Sequence, residues 1–156
     1  MCVFVLWSCE DKSGISTKKA SVVDFMELYG KPMKDVEIAL TNYIVSKNTD
    51  ENGDPYWSIT KKKNEVYTTL NSEEVYISIH FKDNICSKPS LLYRNTNSDY
   101  AGLKELQTKY GEGVELERNY YKWELNDVSI ITYYGISLGN STKSLLIDRA
   151  NASEVE

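Results

Sequence analysis

Regular alternation of apolar and polar side chains over residues 74–81 is the feature that most constrains the fold. A period of two places successive side chains on opposite faces of an extended strand. Four apolar positions alternate here with a tyrosine, a serine and a histidine, in the order Val75, Tyr76, Ile77, Ser78, Ile79, His80 and Phe81. The segment therefore predicts a half-buried strand in a sheet with one face against a core.

Further extended segments are separated by short polar turns. Strands are predicted over residues 56–60, 64–70, 90–94, 120–125, 128–138 and 144–149, with Gly135 marking a bulge in the longest. Strands joined by short turns favour antiparallel pairing, because a parallel pair needs a long crossover connection. The last three segments therefore predict a β-meander.

Helical spacing precedes and interrupts these strands. A first helix is predicted from Ser21, which can cap it, to Tyr29, and Gly30 ends it. A second is predicted from Pro32 to about residue 46, and a third from residue 98 or 99 to Tyr110. The expected fold class is α+β, with an N-terminal helix pair packed on an antiparallel sheet and a third helix before the C-terminal meander.

An uncharged run ends at a cysteine near the N-terminus. Leu6, Ser8 and Cys9 precede an acidic residue, Glu10. This junction resembles the lipobox of bacterial lipoproteins, in particular those of the Bacteroidetes group. The resemblance implies that the Cys9 thiol carries a diacylglycerol and that the domain is tethered to the cell envelope, facing the periplasm or the cell surface.

The chain then divides into four parts. Residues 1–8 are a signal-peptide remnant, truncated if the true start lies upstream, since no Lys or Arg precedes Cys9. Residues 9–20 are the lipid-anchored tether, residues 21–150 a single α+β domain and residues 151–156 a frayed tail. The alternative is that residues 3–7 form a buried strand of a cytoplasmic protein. If Cys9 is lipidated, Cys86 is a lone thiol and is interpreted as a small buried side chain; the alternative is a disulfide between Cys9 and Cys86.

Composition excludes several classes of function. The 156 residues carry a net charge of −5, which repels phosphate backbones, so no nucleic-acid partner is expected. No segment has the roughly 18 consecutive apolar residues of a membrane-spanning helix. The expected partners are the membrane, through the lipid anchor, and an unknown envelope protein or glycan.

Candidate catalytic and metal-binding groups are few. His80 is the single histidine, and Cys86 and Asp83 follow it closely, but His80 alternates onto the polar strand face, where a solvated imidazole explains it. Asp50, Asn52 and Asp54 are spaced like the first ligands of a calcium loop. Pro55 and Lys61 then stand where that loop needs glycine and glutamate. We expect no metal, no cofactor and no catalytic residues.

Paired charges have simple structural explanations. Glu115 and Glu117 would share a strand face, and the favoured interpretation places them on a solvated edge strand. The adjacent pair Glu73 and Glu74 is interpreted in the same way. The lysine run at residues 61–63 is interpreted as a solvated turn.

Tyrosine is the one compositional excess, with 12 of 156 residues. Tyrosine is enriched at interfaces because it combines a large contact area with a polar tip. By alternation, Tyr76, Tyr120 and Tyr133 are predicted on sheet faces opposite the main apolar set, with His80 beside Tyr76. These four residues are the candidate binding surface.

The element order, a helix pair followed by an antiparallel sheet, is similar to that of small envelope proteins of the SmpA/OmlA and β-lactamase-inhibitor-protein kind. That resemblance implies protein binding or envelope assembly. The favoured hypothesis is a non-enzymatic envelope lipoprotein domain that binds a protein or another envelope component through a tyrosine-rich sheet face. The alternatives are a small extracytoplasmic enzyme acting on glycan or peptide through carboxylates, and a cytoplasmic binding or immunity-type protein.

Overall fold

The computed structural model describes residues 21–60, 68–70, 73–94, 102–138 and 142–154. Within these residues the chain forms nine strands, three short α-helices and a final 3₁₀ helix. In chain order they are α1 (Val22–Met26), α2 (Met33–Ala39), β1 (Ile44–Thr49), β2 (Pro55–Thr60), β3 (Thr68–Leu70), β4 (Glu73–Lys82), β5 (Ile85–Arg94), α3 (Leu103–Tyr110), β6 (Val114–Glu117), β7 (Tyr120–Glu124), β8 (Ser129–Leu138), β9 (Thr142–Asn151) and the 3₁₀ helix (Ala152–Glu154).

The strands form one antiparallel sheet with the order β1-β2-β4-β5-β9-β8-β7-β6, and β3 pairs with the remaining part of β4. The alternating segment forms strand β4, as predicted, and lies in the interior of the sheet between β2 and β5. The three C-terminal strands pair in sequence as the expected meander. The pairing of β5 with β9 joins this meander to the N-terminal strands.

The predicted α+β class is wrong, because the described residues form a mainly-β fold. The helices have only five, seven and eight residues. The second ends at Ala39, and residues 44–49 form strand β1 instead of its continuation. Strand β1 pairs with β2 along its whole length, from Ile44 opposite Thr60 to Thr49 opposite Pro55. Pairing with a distant segment overrides helical spacing, which is only a local preference.

Two smaller expectations also differ from the structure. The register between β8 and β9 is continuous from Ser129 to Leu138, so Gly135 marks no bulge. Instead, the Gly135 amide donates to the carbonyl of Asn119 at 3.0 Å. At the C-terminus, β9 runs to Asn151 and the 3₁₀ helix follows, where a frayed tail was expected.

One face of the sheet, the inner face, is covered by the helices and forms the core. Helix α1 packs against α3 and β5, and α2 also packs against β5. Ser21 caps α1 through the predicted capping box with Asp24. The fully buried side chains include Phe25 and Met26 of α1 and the inward positions of β4, β5, β8 and β9, namely Val75, Ile77, Ile79, Leu91, Tyr93, Ile131, Tyr133 and Ile147.

Candidate functional site

A row of large side chains crosses the other face of the sheet, the outer face. Successive strand pairings place Tyr76, Leu92, Leu146, Tyr134 and Tyr120 directly beside one another on β4, β5, β9, β8 and β7. We call these five residues the aromatic row. Since neighbouring strands lie about 4.8 Å apart, the row is about 19 Å long.

The aromatic row is accessible to solvent. Tyr134 is 43% exposed, and the other four side chains are partly exposed. The rings of Tyr120 and Tyr134 meet edge to face, with centroids 5.4 Å apart and an interplanar angle of 80°. Two leucines and three tyrosines at neighbouring register positions on five strands make a continuous apolar strip on a sheet face.

A polar row lies beside it, two residues along each strand. Ser58, Ser78, Ser90, Asp148 and Thr132 are neighbours across β2, β4, β5, β9 and β8, and we call them the hydroxyl row after its four alcohols. Its carboxylate interrupts the alcohols near the centre of the sheet. The two rows together give the outer face an apolar strip with a parallel polar border.

Asp148 is the charged centre of the hydroxyl row. Its Oδ2 atom lies 3.4 Å from Nζ of Lys88, and its side chain is only 13% exposed. Its Oδ1 atom is buried and has no hydrogen-bond partner among the described residues. Lys88 and Asp148 therefore form an ion pair at the centre of this row.

A shallow depression of about 230 Å³ joins the two rows. It contains two of the predicted binding residues and the Lys88–Asp148 ion pair. Its lining combines apolar, hydroxyl and charged groups, from Tyr76, Ser78, His80, Lys88, Ser90, Leu92, Leu146 and Asp148. Such a mixture suits recognition, because apolar contacts supply affinity and a few polar groups fix orientation.

His80 stands at one end of this depression. Its ring is stacked on that of Tyr56, with centroids 5.5 Å apart and an interplanar angle of 18°. Burial lowers the pKa of His80, and the Lys88 charge lowers it further, while Asp50 and Asp148 act in the opposite direction. The lowered pKa favours the neutral imidazole, which presents one donor and one acceptor.

The structure places three of the four predicted binding residues on the outer face. Tyr76 and Tyr120 belong to the aromatic row, and His80 lines the depression. The prediction for Tyr133 is wrong, because its side chain is fully buried on the inner face. The next residue, Tyr134, takes the outer position.

Local sequence could not separate these two tyrosines. Strand β8 contains two adjacent apolar pairs, Ile130-Ile131 and Tyr133-Tyr134, so a period of two fits with either phase. Lys88 and Asp148 were missed for a different reason. They are 60 residues apart in the chain, and only the pairing of β5 with β9 brings them together.

The residues considered for nucleophilic catalysis lie on opposite faces of the sheet. Cys86 pairs with Phe81, is 1% exposed and faces the core, whereas His80 faces outward. Burial raises the pKa of the Cys86 thiol to about 12, which disfavours the reactive thiolate. Among the described residues Cys86 has no disulfide partner, and Cys9, its predicted alternative partner, lies outside them.

The other charged motifs also have local roles or fall outside the described part. Asp50 accepts hydrogen bonds from the amides of Asn52 and Asp54, which closes the β1–β2 turn. Glu115 and Glu117 lie on β6, an exposed strand at the end of the sheet, on either side of a register shift. No cluster of three or more metal-ligating side chains occurs in the described residues. The lysine run at 61–63 lies outside them, as do the side chains of Glu73 and Glu74.

Comparisons with known proteins found no relative of this chain. No protein-family model, no curated protein and no solved structure matches this chain. Among the described helices, none has the length and apolar character that a bilayer crossing requires.

Proposed function

We propose that this protein is a non-enzymatic binding module that recognises a protein partner through its outer sheet face. The aromatic row is the observation that carries the proposal, because it is an apolar strip about 19 Å long that the helices leave uncovered. Interfaces place such strips at their centre and polar groups at their rim. The hydroxyl row and the Lys88–Asp148 ion pair supply that rim.

The composition of the aromatic row favours a protein over a glycan. Leu92 and Leu146 separate Tyr76 from the other tyrosines, and aliphatic side chains contribute contact area without ring stacking. Tyr120 and Tyr134 meet edge to face, so their rings do not form one flat platform. Sugar rings stack on flat aromatic faces, whereas protein side chains pack against an uneven apolar strip.

Site-specific photo-crosslinking provides the first step of the test. A photoreactive amino acid at residue 134 should link the protein to a partner in an envelope extract of the host cell. The same group at residue 128, which is 68% exposed but lies outside the aromatic row, should not. A glycan product from residue 134 would overturn the choice of a protein partner.

The affinity of the purified partner supplies the quantitative prediction. The double variant Tyr76→Thr/Tyr134→Thr removes both rings but keeps a high strand propensity at each position, because threonine is β-branched. We expect it to weaken binding at least tenfold, since central aromatic residues dominate interface energies. Val128→Thr is the control and should change the dissociation constant by less than twofold. Equal affinities for the two variants would contradict the proposal.

We further propose that a lipid on Cys9 tethers this module to the envelope. The proposal is supported by the Leu6-Ser8-Cys9 junction and by the polar stretch at residues 10–20 that precedes α1. The variant Cys9→Ala is expected to move the protein from the membrane fraction to the soluble fraction and to abolish incorporation of labelled fatty acid. Cys2→Ala is the control and should change neither. An unmodified Cys9 in the intact chain would refute the anchor and leave the binding face to be tested separately.

A further inference from the structure

Strand β6 presents an open edge at one end of the sheet. It pairs with β7 on one side and is last in the strand order, so its outer side has no strand partner among the described residues. All four of its residues are exposed. Val114 is 62% and Leu116 50% exposed, an unusual degree for aliphatic side chains on a strand.

A cavity of about 460 Å³ adjoins this edge. Its lining is mixed, with charged side chains among apolar and aromatic groups from α3, β6 and β7, and the lining residues are Tyr110, Gly113, Val114, Leu116, Lys122, Trp123 and Glu124. The indole of Trp123 is fixed by its hydrogen bond to the carbonyl of Gly111 at 2.8 Å. A side chain from an added strand could therefore enter a preformed, partly apolar cavity.

The charges around the edge are mainly negative. Residues 112–118 carry three carboxylates, Glu112, Glu115 and Glu117, and one cation, Arg118. The nearby Lys122 is neutralised by Glu124, with Nζ and Oε1 2.9 Å apart. A basic segment would be attracted to this edge, whereas two copies of β6 brought side by side would oppose their glutamates.

We infer that the outer edge of β6 and the adjoining cavity form a second docking site, which takes an extended peptide segment alternating basic with apolar residues. The segment adds a strand to the sheet through backbone hydrogen bonds. Its basic side chains lie on the face of Glu117, which pairs with Tyr120, and one apolar side chain on the opposite face enters the cavity beside Trp123. This site lies at the sheet edge beside the β7 end of the outer face, where Glu117 pairs with Tyr120, and it does not depend on the proposed function.

Synthetic peptides test the inference directly. The probe is a capped seven-residue peptide of alternating Lys and Val with a central Leu, and one control replaces every Lys by Glu. A second control carries N-methyl groups on alternate amides, which keeps the charge but prevents strand addition. We expect each control to bind at least tenfold more weakly than the probe. Nuclear magnetic resonance should locate the probe at the amides of residues 112–117 and the Trp123 indole.

Matched charge variants separate local attraction from net charge. Glu115→Lys/Glu117→Lys should weaken the basic probe at least tenfold and strengthen the acidic control. Asp35→Lys/Glu51→Lys changes the net charge equally at exposed positions on α2 and in the β1–β2 turn, and should change binding less than twofold. Equal losses in both variants, or equal binding of the N-methylated peptide, would overturn the inference.

Two further results bear on the identity of the occupant. The outer-face variant Tyr76→Thr/Tyr134→Thr should bind the probe with unchanged affinity. A loss of affinity in this variant would show that the peptide binds the outer face and would overturn the inference. Sedimentation should show a monomer across concentrations. A dimer that Glu115→Lys/Glu117→Lys abolishes or strengthens would assign the edge to a second copy of the chain and overturn the inference.

Discussion

Replacement of Arg149 by methionine should lower the free energy of unfolding by about 3 kcal/mol. Arg149 is on β9 and points into the inner face, where it is only 6% exposed. Its guanidinium reaches three groups: Nε donates to Ser129 Oγ at 3.0 Å, Nη1 to the Met26 carbonyl at 3.1 Å and Nη2 to Asp127 at 2.6 Å. These bonds connect the end of α1 to the start of β8.

The expected loss of stability is large because a methionine side chain fills most of the volume of Arg149 but cannot donate a hydrogen bond to any of these three acceptors. The guanidinium also stacks over the ring of Tyr29, with its central carbon 4.9 Å from the centroid. Asp127 is half exposed, so water replaces part of its interaction, which keeps the loss near the low end for a broken buried ion pair. Hydrogen bonds from Ser129, more than the charge of Arg149, lower the pKa of the Asp127 carboxyl.

Urea unfolding monitored by tryptophan fluorescence measures this loss. Lys122→Met is the matched control, since Lys122 pairs with the exposed Glu124 on the outer face and its removal should cost less than about 0.5 kcal/mol. A loss below about 1 kcal/mol for Arg149→Met would show that Arg149 does not hold α1 on the sheet. An unchanged denaturant slope would confirm that both variants unfold from the same native state.

Substitution of Gly102 by alanine should be similarly costly, again by about 3 kcal/mol. Gly102 precedes α3 with a φ of +74°, in the left-handed region that L-residues adopt at a cost. An added Cβ would lie 2.5 Å from Cγ2 of Val22, a fully buried side chain of α1. Since α1 and α3 pack together at this point, the clash would push apart the helices that cover the core.

Gly53→Ala separates the two causes of this cost. Gly53 has a φ of +87°, but an added Cβ there meets no atom within 4 Å. Its alanine variant should therefore lose only the backbone contribution, about 1 kcal/mol. Thermal unfolding of both variants provides the comparison. Equal losses at the two positions would show that contact with Val22 contributes nothing.

The strands could be predicted wherever the local pattern had a single phase. β4 follows from the alternation of Val75 to Phe81, and that alternation also places Tyr76 and His80 on one face. The pattern failed at Tyr133, where adjacent apolar residues permit either phase. It failed at residues 44–46 as well, where helical spacing continues into a strand whose partner lies more than ten residues away.

The fold class was missed because helix length depends on tertiary contacts. The three helices occur where capping and periodicity predict them, but the second is much shorter than its pattern, and the number of strands around them makes the fold mainly β. Helical spacing reports which face is apolar, whereas the end of a helix depends on competing partners for the backbone.

The candidate site shows the same division. By itself the sequence determined the alternating central strand, the C-terminal meander and the outward direction of Tyr76, His80 and Tyr120, because these follow from neighbours along the chain. Only the tertiary structure decided that Leu92, Leu146 and Tyr134 complete the aromatic row and that Lys88 meets Asp148. The reason is physical: strand order and register depend on pairing between distant segments, and a period of two contains no information about which strand lies beside which.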